Sequence, residues 1–269
     1  ILDQSTGNTG PAPSFVGVVK GYDVRLFLHA QMLNAYDPED RIRIARLYGC
    51  EVTSIDLNDH MEDVGRLSDL ERAAAFVAIR MKHCHDLQQA EPTHWWANQL
   101  CNTDNTRAHR EHTGREILEQ VEGPIDGLAA SVGTGGTLLG IAQALRSENP
   151  GMKVHGVVPT DDPRIEWVRS RTIHRALDRF GVPDLRFLME DLLEGGVMDA
   201  EVTVQDADAR DMADRLCREE GLYCGMSSGA NVHAAIEMAR TMGAGSRIVT
   251  VLVDRRDRYI SEHPDEHYV

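Results

Sequence analysis

Long apolar runs are missing from this 269-residue chain, and no stretch reaches the roughly 18 consecutive apolar residues that suggest a membrane span. A membrane is therefore not expected as a partner. The first residues, Ile1-Leu2-Asp3-Gln4, lack the basic flank and apolar run of a secretory signal. They read as the middle of a strand, with no initiator methionine, and the expectation is that the protein begins upstream. Positive charge is also scarce. Lys and Arg total 28 against 43 Asp and Glu, which leaves a net charge of −15. Such a field repels a phosphate backbone, so nucleic acid is not an expected partner. A small anion is still admissible, because local donors outweigh a distant field. Lysine is down to three residues, Lys20, Lys82 and Lys153. Cysteine is limited to Cys50, Cys84, Cys101, Cys217 and Cys224. An odd, scattered set in a chain of this size reads as reduced thiols in a cytoplasmic protein, not as a disulfide framework.

What is present is an ordinary globular composition, 42% hydrophobic and 26% charged. Strand-like and helix-like segments alternate along it. Strands are expected at Asp23–Leu28, Cys50–Ile55, Ile125–Val132, Lys153–Val158 and Ile248–Val253, the last one buried. Helices are expected at Asp40–Tyr48, Asp69–Leu87, Gly136–Arg146 and Asn231–Met238. Alternation with short links predicts an α/β fold, a parallel sheet with helices on both faces. Pro92 and the polar run Asn102 to Asn105 flank an expected lobe boundary near residue 95. The charged stretch from Asp162 to Gly196 carries no assignment.

Three turns draw attention. Ser5-Thr6-Gly7-Asn8-Thr9-Gly10 follows a strand and precedes an apolar helix, where free backbone N–H groups and the helix dipole favour an anion. Alone it reads better as a helix cap. Gly133-Thr134-Gly135-Gly136-Thr137 joins a strand to a helix; its glycines admit close backbone approach and its threonines add hydroxyls, the composition of a phosphate cradle. It is neither a Walker loop nor a dinucleotide fingerprint. Gly225-Met226-Ser227-Ser228-Gly229-Ala230 precedes a helix; one serine is expected to cap it and the other to be free for a ligand.

In this order and near this spacing, the three turns resemble those of the cysteine synthase and cystathionine β-synthase family, the fold type II pyridoxal-phosphate (PLP) enzymes. Gln99, Asn102, Asn105, His109 and Thr113-Gly114 are similar to that family's segment between lobes, as are Glu220-Gly221-Leu222 and Arg258-Tyr259. The resemblance implies a two-lobed α/β fold like the tryptophan synthase β chain, parallel sheets flanked by helices. Residues 1–95 would form a smaller substrate-loop lobe and 96–269 a larger PLP-binding lobe. It implies that Ser5, Thr6, Gly7 and Thr9 grip the substrate carboxylate with Gln99 as a second contact, and that Asn8 stands beside the cofactor's 3′ oxygen. It implies PLP phosphate at Gly133, Thr134, Gly135, Gly136 and Thr137, and the pyridine nitrogen at Ser227. The Schiff-base lysine of the family is expected upstream of Ile1, since Lys20, Lys82 and Lys153 do not stand in its context.

The implied activity is β-replacement on a serine-derived amino acid (O-acetylserine, O-phosphoserine or serine) by a sulfide, thiol or amine, in a cytoplasmic homodimer. Alternatives are a β-elimination lyase of the cysteine desulfhydrase type, a catalytically silent binding subunit, and a nucleotide-binding module. The family's Gly-Ile-Gly substrate loop has at best a poor counterpart in Leu193-Glu194-Gly195-Gly196, and Gln31 to Asp37 are extra. No metal is expected. His83-Cys84-His85 point in different directions and cannot converge, Cys217 and Cys224 read as core, and His109 with His112 lack a third ligand. Trp95 and Trp96 are expected to pack between lobes.

Overall fold

The computed structural model describes residues 1–5, 7–29, 39–160 and 162–262. Thr6 and the extra segment from Gln31 to Asp37 lie outside them. Two compact units emerge. The first comprises residues 1–99, 163–185 and the tail from Tyr259; the second comprises 100–162 and 186–258. The chain thus returns to the first unit twice.

The first unit holds a parallel sheet of β1 (Leu2–Gln4), β2 (Arg25–His29) and β3 (Glu51–Ile55), in that order. Asp3 pairs with Leu26, and Leu26 with Val52. Helices α1 (Pro11–Lys20) and α2 (Glu39–Leu47) connect the strands. Ala45 of α2 meets Leu26, Val24 and Val52 in one apolar cluster. Helix α3 (Asp69–Ala90) covers the other face, where His83 stacks on Phe27 with ring centroids 5.8 Å apart. It starts where Ser68 and Glu71 form a reciprocal capping box, each bonding the other's backbone N–H. The stretch left unassigned from sequence contributes α7 (Arg164–Arg169) and α8 (Thr172–Arg179), with α8 packed on α3 and Arg179 ion-paired to Asp63.

The second unit opens with α4 (Thr103–Ala108), a π-helical turn His109–Thr113, and α5 (Gly114–Gln120). Its sheet is parallel throughout, ordered β6-β5-β4-β7, from β4 (Gly127–Ser131), β5 (Lys153–Pro159), β6 (Ala200–Val204) and β7 (Ile248–Thr250). Helices α6 (Gly136–Glu148), α9 (Leu188–Glu194), α10 (Asp206–Glu220) and α11 (Met226–Met242) complete it. Ala129, Val157, Val204, Ala234 and Met238 form its core. The expectation of a long, buried last strand is corrected. Strand β7 ends at Thr250 and is only half-buried, and Leu252 and Val253 are exposed. The reason is position: β7 is an edge strand with a neighbour on one side only.

Candidate active site

In the first unit the loop after β1 leads straight into α1, whose cap is Gly10, and no side chain caps the helix. Ser5 turns inward, 6% exposed, and its Oγ accepts from the N–H of Gly7 at 3.2 Å. Thr9 Oγ1 donates to Gln99 Oε1 at 2.6 Å, and Gln99 Nε2 donates to the Gln4 carbonyl at 2.8 Å. Residues 90 positions apart are thereby joined. Asn8 Nδ2 donates to Tyr259 Oη at 2.8 Å, and the Arg41 guanidinium lies 5.0 Å from the centre of that phenol ring. The sequence reading missed Arg41 and gave Tyr259 no role. Nothing local signals their approach, since they come from separate parts of the chain.

Beneath this loop lies a closed group of ionisable side chains. The oxygens of Asp3 are buried with no hydrogen bond of ordinary geometry, and burial pushes the carboxyl up to about 7. Backbone N–H groups of Gln4 and Gln99, and Arg80, pull the other way without cancelling that cost. Burial brings Arg80 down to about 10 and pushes the Cys84 thiol well up. Trp96 donates from Nε1 to Gln4 Oε1 at 2.8 Å. It packs within the first unit, while Trp95 is 53% exposed. An indole needs a hydrogen-bond partner when buried, and Gln4 supplies it.

In the second unit the turn Gly133–Thr137 follows the end of β4 and starts α6. Gly135 takes φ +93°, the left-handed region that favours glycine. A Cβ there would stand 3.3 Å from the Leu188 carbonyl and the backbone of Met189, and one on Gly136 would run into the Asn105 amide. Side chains are thus excluded where an anion would need backbone N–H groups. Thr134 Oγ1 accepts from Asn105 Nδ2 at 3.1 Å, and Thr137 Oγ1 lies 3.0 Å from His109 Nε2. These features fit a phosphate: glycines without room for a side chain, two hydroxyls, and the amino end of a 13-residue helix.

The third turn differs from expectation. Helix α11 starts at Met226 with Gly225 as its cap, so both serines lie inside the first helical turn and neither caps it. Ser228 is fully buried, and its Oγ accepts from the N–H of Val253 at 3.0 Å. Ser227 is half-buried, and its hydroxyl makes no hydrogen bond among the described residues. Because β7 runs parallel to β4, the chain after β7 lies at the same sheet edge as the end of β4. The Ser228–Val253 bond therefore places Ser227 on the edge that also carries Gly133–Thr137, the carboxyl edge where α/β folds bind ligands.

The remaining candidates resolve simply. Lys153 opens β5, pairs in register with Gly127 at the opposite end of β4, and is bonded to Asp199. Lys82 is ion-paired to Asp86, and Lys20 is exposed at the end of α1. All five cysteines are free thiols; Cys224 is buried but Cys217 only half-buried, which corrects its assignment to the core. His109 spends both ring nitrogens on threonine hydroxyls and His112 is exposed, so they do not form a ligand pair. Among the described residues no group of three or more His, Cys, Asp or Glu side chains could hold a metal ion, and no helix is long and apolar enough to cross a membrane.

The pyridoxal-phosphate dependent enzyme family matches residues 1–254 of the chain. The chain belongs to that family. As a PLP-dependent enzyme it is similar to cysteine synthase B of Pseudomonas aeruginosa, 28% identical over 262 residues, covering 97% of this chain and 75% of that protein. It is 30% identical to cystathionine beta-synthase of Mus musculus over 97% of its own length and 43% of the relative's. Among solved structures it resembles a hydrogen sulfide-producing enzyme from Fusobacterium nucleatum, with TM-score 0.75 and 26% identity over 100% of this chain and 74% of that one. O-ureido-L-serine synthase gives TM-score 0.74 and 25% identity over 100% and 77%. The fold is that of fold type II PLP enzymes, parallel sheets flanked by helices.

Proposed function

We propose that the protein catalyses PLP-dependent β-replacement on a serine-derived amino acid, O-acetylserine, O-phosphoserine or serine, with a sulfide, thiol or amine as the incoming group. The observation that carries this reading is the placement of Gly133–Thr137 and Ser227 on one edge of the second sheet. The turn would hold the phosphate and Ser227 would face the pyridine nitrogen. Bound there, the cofactor supplies an electron-withdrawing ring that loosens bonds at the α-carbon of an amino acid. A neutral serine hydroxyl at the ring nitrogen does not enforce its protonation as a carboxylate would, which suits loss and replacement of a β-substituent more than amino-group transfer. In the first unit, Ser5, Gly7, Thr9 and Gln99 would receive the substrate carboxylate, with the Thr9–Gln99 bond fixing the two side chains against each other. Thr6 belongs to the same reading. Asn8 would meet the cofactor's 3′ oxygen with Tyr259 at its amide. By the same resemblance we expect a homodimer, which light scattering would show as twice the mass of the single chain.

A second reading, β-elimination, is favoured by the likeness to a hydrogen sulfide-producing enzyme. One experiment separates them. The protein is incubated with PLP and O-acetylserine, with and without sulfide, and cysteine and pyruvate are measured. Cysteine formed only with sulfide supports replacement, and pyruvate formed without it supports elimination. Absence of a visible cofactor band in full-length protein, upstream segment included, purified with added PLP overturns both.

A further inference from the structure

Both threonine hydroxyls of the Gly133–Thr137 turn are gripped from behind by the segment that starts with α4. Asn105 Nδ2 donates to Thr134 Oγ1 at 3.1 Å. Four residues on, His109 Nε2 lies 3.0 Å from Thr137 Oγ1, while its Nδ1 lies 3.1 Å from Thr113 Oγ1. Residues four apart share one helix face, and here that face is pressed against α6. A Cβ on Gly136 would run into Asn105, and one on Gly140 into the Thr106 carbonyl and His109. The π-helical turn His109–Thr113 closes the arrangement by bringing Thr113 back to the same imidazole.

This geometry bears on proton direction. A hydroxyl has one proton to give and two lone pairs to accept with. Thr134 Oγ1 already accepts from Asn105 Nδ2 and, at 3.3 Å, from the Gly136 N–H. Its proton is left to donate. For Thr137 the outcome depends on the His109 tautomer. Burial lowers the pKa of His109, so the ring is neutral and carries one N–H. With that proton on Nε2, Thr137 accepts and its own proton is released for a ligand, while Thr113 donates to Nδ1. With the proton on Nδ1, Thr137 must donate to the ring and would turn lone pairs toward an anion, a repulsive arrangement.

We propose that Asn105 and His109 are positioning residues that make both cradle threonines donors toward a phosphate dianion, His109 acting as its Nε2–H tautomer. The proposal rests on reading Gly133–Thr137 as a phosphate cradle, and adds that neither Asn105 nor His109 touches the phosphate. The test titrates the full chain with pyridoxal 5′-phosphate and, separately, with pyridoxal, which lacks the phosphate. Asn105→Leu and His109→Phe are expected to weaken pyridoxal 5′-phosphate binding roughly tenfold each, the effect of one lost hydrogen bond to a charged group. Pyridoxal binding stays unchanged, and His109→Gln, which restores an N–H donor, recovers most of the loss. Nitrogen-15 NMR of the unaltered protein with pyridoxal 5′-phosphate is expected to place the His109 proton on Nε2. The proposal is overturned by unaltered pyridoxal 5′-phosphate affinity in the variants, by equal loss for both probes, or by a proton on Nδ1. Should His109→Phe fail to fold, the tautomer still decides. If the unaltered protein shows no preference for the phosphorylated probe, the cradle reading itself falls, and this proposal with it.

Discussion

Asp3 is 1% exposed, and its oxygens find no hydrogen bond of ordinary geometry. A carboxylate so enclosed keeps its proton, up to about pH 7, whereas the unfolded chain releases it near 3.8. Between those values the folded state binds the extra proton, so the contribution of Asp3 to stability is greatest below pH 3.8 and falls as pH rises to about 7, at about 1.4 kcal/mol per pH unit. Asp3→Asn cannot ionise and lacks this slope. Urea denaturation at pH 5, 6 and 7 should show the variant gaining on the unaltered protein by about that amount per unit. An unchanging difference would mean that Asp3 is ionised throughout, with Arg80 as its counter-charge. The cost is plausible at this position because Asp3 stands two residues before Ser5, in the strand that aims the first loop.

Close approach of elements depends on a few small residues. Gly140 lets α6 lie directly on α4 and the π-helical turn, where the Thr106 carbonyl and His109 occupy the space of a side chain. Gly140→Ala must force these backbones apart, at a cost of about 1–3 kcal/mol for an overpacked contact. It should also separate Thr137 from His109. Gly65 has open space around it and an ordinary φ, so Gly65→Ala is expected to stay within about 0.5 kcal/mol. Denaturant midpoints of the two variants check both statements. Equal effects would show that α6 and α4 are less tightly joined than their geometry implies.

Over the whole molecule, burial sorts the five cysteines. Cys50, Cys84 and Cys224 are buried, with thiols made weaker acids by desolvation, while Cys101 and Cys217 are half-exposed. The reactive form is the thiolate, so a short pulse of iodoacetamide followed by mass spectrometry should label Cys101 and Cys217 first. Early labelling of Cys84 would place the opening of α3 from the first sheet among the easy motions of the native state. The acidic surface, net charge −15, makes the donor-rich turn at the second sheet edge a local exception in a field that otherwise repels anions.

Alternation and turn chemistry are local properties, so the sequence alone determined the α/β class, seven of the helices and strands near their true bounds, and the glycine turn after β4. Hydrophobic period and glycine punctuation need no partner to be read. It could not determine whether β7 was buried, because edge position depends on which strands pair. The charged stretch after residue 162 was opaque for a related reason: α8 gains its stability by packing on α3, about 90 residues earlier, and α7 by packing on α8, more than from their own propensity. Nor could one sequence show that Gly225 caps α11 in place of a serine, that Thr9 meets Gln99, or that Asn105 and His109 hold the two cradle threonines. Apart from the Gly225 cap, a local choice of backbone conformation, those contacts join residues far apart along the chain, and only the folded backbone brings their donors and acceptors within hydrogen-bond reach.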